Sequence, residues 1–231
     1  MHRWLGEIMM GKLGDIQAVI FDLDGTLVSV EERFYRVFLD TLKAHHLPPV
    51  EKDIFMEKFS TNQLSDFLRL EDEHAFWVDF LKAYNGSHGE FSKAIPGVRE
   101  VLGKLRENGI KIGVITGRLC EPEEALAELR RLNFGDLVDA VVTKKLVIAQ
   151  LKPEELFSRS LELIQVLEGL GASPRRSILV ADYVEDIKSA KSLGLRAVAV
   201  LSGSSSYKSL REIGPDAIIK NITELPPLLG L

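Results

Sequence analysis

Two carboxylates two residues apart, at the end of an apolar run, are the first groups in this chain that could do chemistry. Val19-Ile20-Phe21-Asp22-Leu23-Asp24-Gly25-Thr26 reads as a buried strand that breaks at Gly25. An unpaired buried charge is costly, so acids placed there need a partner or a metal. A carboxylate can also attack phosphorus to give an acyl phosphate. Other apolar runs also lead to polar groups. Thr116-Gly117 closes the run 111–115, and Lys152 follows the short run 140–142. Asp182 closes the run 177–181, with Asp186 one helical turn beyond it.

These groups can meet only if the elements carrying them share one edge. From residue 95 onward helical and strand patterns alternate. Helices are predicted at 98–107, about 121–132, about 153–169 and 184–193. Strands are predicted at 17–22, 111–115, 140–142, 177–181, 197–201 and 217–219. That alternation predicts an α/β fold, a doubly wound parallel sheet covered by helices on both faces. In such a sheet ligands sit at the carboxyl ends of the strands, where the winding reverses. Asp22, Asp24, Thr116, Lys152, Asp182 and Asp186 would then lie at one edge. Four acids at one site repel unless a cation sits among them, and an all-oxygen ligand set suits Mg²⁺. The cation, Lys152 and backbone N–H groups can hold a phosphate, and phosphoryl transfer needs mainly positioning and charge neutralisation.

Between residues 31 and 93 no strand signal occurs. A helical pattern from Glu31 to His45 puts Phe34, Val37, Phe38, Thr41 and Leu42 on one face. Further helical stretches are predicted around 51–59, 62–69 and 71–84, the last with Phe76, Trp77, Phe80 and Leu81 facing inward. About sixty such residues make a small all-helical domain. The boundaries expected are 1–29 and 94–231 for the α/β core and 30–93 for the helical insert, with Ser92 and Lys93 in the return linker. His45 and His46 read as a solvated helix end, His74 as packing, and Ser202-Gly203-Ser204-Ser205-Ser206 as a loop. Arg118 fits a substrate contact or a surface position equally.

Composition narrows the function classes. The 231 residues are 45% hydrophobic, with 29 basic and 34 acidic residues and a net charge of -5. That balance leaves no basic footprint for nucleic acid. No apolar run approaches the ~20 residues that span a bilayer. Gly6 and Glu7 interrupt any signal-peptide core. The single cysteine, Cys120, excludes an internal disulfide, and nothing beside it activates a thiolate. A cytoplasmic setting is expected; oligomeric state is left open.

Asp22-Leu23-Asp24-Gly25-Thr26-Leu27 resembles the first motif of the haloacid dehalogenase superfamily, in its phosphatase branch with a helical cap, phosphoglycolate-phosphatase-like. Thr116-Gly117 resembles the second motif, Lys152-Pro153 the third, and Ala181-Asp182-Tyr183-Val184-Glu185-Asp186 the fourth. The four occur in the family's order and cover the core from residue 17 to about 201. The resemblance implies a Rossmann-like core whose residues 30–93 form the cap. It makes Asp22 the nucleophile and Asp24 the general acid/base. Thr116 and Gly117 would bind phosphoryl oxygens, and Lys152 would balance charge. Mg²⁺ would be held by Asp22, the Asp24 carbonyl and Asp182, with Asp186 in support. The implied activity is Mg²⁺-dependent hydrolysis of a small phosphorylated metabolite through an aspartyl-phosphate. Two alternatives are phosphoglucomutase-like transfer to a sugar and binding of a phospho-ligand with weak catalysis. Two residues depart from the pattern: Ala181 stands where the fourth motif usually has glycine, and Ser29 where an acid often follows the first. Lys144 and Lys145 compete with Lys152 for the third motif, and Pro153 favours Lys152.

Overall fold

The computed structural model describes residues 16–60, 63–68, 73–86, 91–147 and 158–231. Lys152, Pro153 and the start of the helix expected there lie outside the described residues. The first strand, β1 (Ala18–Asp22), is buried along its whole length. A two-residue strand, β2 (Val28–Ser29), pairs antiparallel with β3 (Lys93–Ala94). The sequence carried no signal for this pair, because two residues have no measurable period. It brings together the two chain ends that leave and re-enter the core.

Among the described residues between them lie three α-helices, α1 (Glu31–Ala44), α2 (Lys52–Ser60) and α3 (Glu73–Gly86). Leu64–Phe67 is a 3₁₀ turn rather than the regular helix expected over 62–69. This insert has its own apolar cluster, in which Phe38, Phe55, Leu68 and Phe76 are fully buried. His45 is not a solvated end: its ring lies 5.3 Å from that of Phe76 and its Nε2 is 3.3 Å from Asp79.

The remainder builds the sheet: α4 (Val98–Glu107), β4 (Lys111–Thr116), α5 (Pro122–Arg131), β5 (Ala140–Thr143), α6 (Lys144–Val147), α7 (Ser160–Leu170), β6 (Ser177–Ala181), α8 (Val184–Ser192), β7 (Arg196–Val200), α9 (Tyr207–Ile213), β8 (Ala217–Ile219) and α10 (Leu225–Leu228). The strand order is β5-β4-β1-β6-β7-β8, and all five pairings are parallel. Strand β1 is therefore central, and the winding reverses across it: β4 and β5 lie on one side, β6 to β8 on the other. Alternation sends Val19 and Phe21 to one apolar layer and Ala18 and Ile20 to the other. Asp22 continues the Ala18–Ile20 face, the side covered by α7 and α8. Among the described residues no helix is long and apolar enough to cross a membrane.

Candidate active site

Asp22, Asp24, Gly117, Asp182 and Asp186 line one cavity of about 300 Å³ at the carboxyl end of the sheet. Thr116 is fully buried and is not among the lining residues. Its hydroxyl oxygen accepts a bond from the Arg118 backbone N–H at 3.3 Å.

Asp22 is 4% exposed. Burial raises its carboxyl well above the ordinary range, and the charges of Asp186 and Asp182 push the same way. Asp182 stands just past β6. Its Oδ1 accepts from the Thr26 hydroxyl at 3.3 Å, and its Oδ2 accepts from the Ser204 N–H at 2.7 Å and the Ser204 hydroxyl at 3.1 Å. Burial lifts Asp182 to about 6 against those Ser204 bonds. Two glycines leave room for it. A Cβ on Gly203 would sit 2.0 Å from Asp182 Oδ2, and one on Gly25, at φ +92°, would sit 2.8 Å from it. Ser202 donates to the Gly25 carbonyl at 2.8 Å. The serine-rich segment is thus part of the site and not only a connection.

Asp186 lies in the first turn of α8, fully buried, and burial raises its carboxyl. Its Oδ1 accepts from Arg159 Nε at 3.1 Å, whereas its buried Oδ2 has no hydrogen-bond partner. An orphaned buried carboxylate oxygen beside two crowded acids is chemistry that suits a hard divalent cation. Among the described residues no three acidic, His or Cys side chains are yet drawn round one point as a metal set.

Arg159 was missed at the sequence level, for an identifiable reason. A helix over 153–169 would bury position 159 in its interior; α7 instead begins at Ser160, leaving Arg159 at its N-cap. From there the guanidinium reaches Asp186, and its Nη1 lies 3.3 Å from Glu162. It also covers Gly117, where a Cβ would come within 2.5 Å of it. Burial alone would lower its pKa, but the charges of Asp186, Asp22 and Glu162 together outweigh burial and raise it.

Asp24 faces a second guanidinium. Arg118 Nε and Nη2 reach its two oxygens at 2.8 and 2.5 Å. The same arginine is pinned from behind by Glu128 on α5. At 7% exposure Arg118 is not a surface residue. Of the competing lysines, Lys144 is buried, with Nζ 2.6 Å from Glu162 and 2.7 Å from the Ser158 carbonyl. Lys145 points away to Glu121. Cys120 has its thiol raised by burial, consistent with an inert role.

Similarity to known proteins agrees with this architecture. The profile of the haloacid dehalogenase-like hydrolases matches residues 19–200. The pyrophosphatase PpaX of Halalkalibacterium halodurans is 24% identical over 94% of this chain and 98% of its own length. A protein of Caldanaerobacter subterraneus is 30% identical over 91% of this chain and 93% of its own. Among solved structures, a HAD family hydrolase from Deinococcus radiodurans with bound phosphate and sodium superposes with a TM-score of 0.68. It is 22% identical and covers 94% of this chain and 96% of its own. The chain belongs to the haloacid dehalogenase-like hydrolase family, and it is a hydrolase.

Proposed function

We propose that this hydrolase cleaves a small phosphate monoester with the help of Mg²⁺, through an aspartyl-phosphate on Asp22. The observation that carries this reading is the convergence of Asp22, Asp24, Asp182 and Asp186 on one cavity at the point where the sheet reverses. Residues 30–93 act as the cap over a core of 1–29 and 94–231.

The Asp22 carboxylate attacks phosphorus, forming an O–P bond as the ester P–O bond breaks. Asp24 gives its proton to the departing oxygen. Asp24 then takes a proton from water, whose oxygen attacks phosphorus and releases Asp22 and inorganic phosphate. For either proton transfer at least one Asp24 oxygen must leave Arg118. The side chains of Asp22 and Asp182 and the carbonyl of Asp24 would hold Mg²⁺, with Asp186 behind them. The cation would neutralise the charge of the phosphoryl oxygens. Gly117, on the cavity wall, holds a phosphoryl oxygen; Thr116 has that role by resemblance to the family's second motif, and its buried hydroxyl would have to turn into the cavity to fill it. Charge balance falls to Lys152 by resemblance to the family's third motif, and Arg159, which lies beside Asp22 and Asp186, contributes to it.

Asp22→Asn should lower phosphate release by at least about 10³-fold while the circular dichroism stays native. Chelation by EDTA should abolish turnover and added Mg²⁺ restore it. Substantial activity in either experiment sinks the mechanism. Isomerised sugar phosphate in place of free phosphate would identify a mutase.

A further inference from the structure

The core side of the cavity and its cap side differ in chemistry. From the cap side come Val30, Glu31, Phe34, Phe59, Phe80 and Tyr84. Phe34 is the centre of this wall. Its ring centroid lies 4.5 Å from that of Phe80, 4.9 Å from Phe59 and 5.6 Å from Tyr84. Phe34 and Phe59 are only partly buried, so ring surface is left for a bound molecule. Among the described residues that line this side, the one charged group is Glu31, which is exposed and accepts from the Ser29 hydroxyl at 3.3 Å.

The cavity is also poor in positive charge. Five carboxylates line it against two guanidiniums among the described residues. Each guanidinium already serves two acids: Arg118 holds Asp24 and Glu128, and Arg159 holds Asp186 and Glu162. A reacting phosphoryl group at Asp22 has the core side to receive it. A second anionic group on the leaving portion would meet Glu31 and four aromatic rings; among the described residues no cap-side cation lines the cavity, and the buried Arg33 is engaged over the Tyr84 ring, 4.1 Å from its centroid.

We infer that the substrate is a phosphate monoester of a ring-bearing alcohol or phenol, neutral or cationic in its leaving group, and that pyrophosphate and carboxylated esters are discriminated against. The inference rests on the phosphatase reading above and names its substrate class. The ring packs against Phe34 and its neighbours, and Glu31 accepts a hydrogen bond from a hydroxyl or ammonium on it. Like-charge repulsion and an unsatisfied anion supply the discrimination.

The test is phosphate release by the full-length enzyme with Mg²⁺ on benzyl phosphate, ethyl phosphate, phosphoglycolate and pyrophosphate. Benzyl and ethyl phosphate have similar alkoxide leaving groups, so their ratio isolates the ring. Benzyl phosphate should exceed ethyl phosphate in kcat/KM by about tenfold, from ring packing. It should exceed the two anionic compounds by about a hundredfold, from charge repulsion. Phe34→Ala should bring the benzyl-to-ethyl ratio close to unity. Glu31→Gln should raise phosphoglycolate turnover relative to ethyl phosphate. Pyrophosphate or phosphoglycolate turned over as fast as benzyl phosphate overturns the inference and leaves the phosphatase reading standing. So does a benzyl-to-ethyl ratio of one in the unaltered enzyme, which needs no variant to fold. No phosphate released from any of the four overturns both.

Discussion

At the scale of single residues, the site is a set of crowded acids whose charges are expensive to bury without a neutralising partner. Asp182, raised to about 6 by burial, is the clearest case, and Asp22 and Asp186 are raised in the same direction. For an acid raised above its unfolded value, the folded state binds the extra proton. Its stabilising contribution is complete below the unfolded value and is lost as pH rises through the folded one. The metal-free protein should therefore lose thermal stability between roughly pH 4 and pH 6, and Mg²⁺ should restore it at the upper end. Calorimetry in EDTA reads this directly. The slope should flatten in Asp182→Asn, and a melting temperature that rises across that interval would count against the assignment. Gly203 tests the same carboxylate by shape. Its Cβ would fall 2.0 Å from Asp182 Oδ2, so Gly203→Ala should weaken Mg²⁺ binding by about tenfold, the size seen when a ligand's support is disturbed. Titration calorimetry would measure it.

At the scale of elements, helices α7 and α8 and strand β4 set the distances between these groups. Gly113 on β4 lets α7 lie directly on the sheet: a Cβ there would meet Val166 Cγ2 at 2.6 Å and Leu170 Cδ1 at 3.1 Å. Gly113→Val should push α7 outward and destabilise the fold by about 1–3 kcal/mol, the cost of overpacking a filled core. Because Arg159 caps α7, its hold on Asp186 should loosen too, so activity should fall beyond what the unfolded fraction explains. Urea titration with parallel kinetics separates the two. Helix α5 has the comparable task for Asp24. Its N-terminal Glu121/Glu124 capping box fixes where it starts, and Glu128 on it braces Arg118 from behind.

At the scale of the whole molecule, two apolar layers flank the sheet and a third cluster belongs to the helical insert alone. Such independence predicts separate cooperativity. Phe38 is fully buried, with five ring neighbours. Phe38→Ala should cost about 3–5 kcal/mol, felt first as local opening of residues 31–86. Hydrogen exchange would find those amides released while β1 and β6 stay protected. Equal acceleration in the core strands would mean that the insert and core melt as one unit.

The periodicity, the turn residues and four separated motifs determined the fold class, the helical insert and the positions of Asp22, Asp24, Asp182 and Asp186, because those signals are local. A buried strand, its terminal acids and the glycine after them lie within ten residues of each other. What only the tertiary structure decided are the partners brought from far along the chain. Arg118 meets Asp24 across 94 positions, Ser204 reaches back 22 to Asp182, and Arg159 crosses 27 to Asp186. An isolated arginine or a run of serines has no pattern that announces such a contact. Strand alternation and the parallel register decide which helix end lies over which carboxylate, and the antiparallel β2–β3 link decides that an aromatic wall faces them.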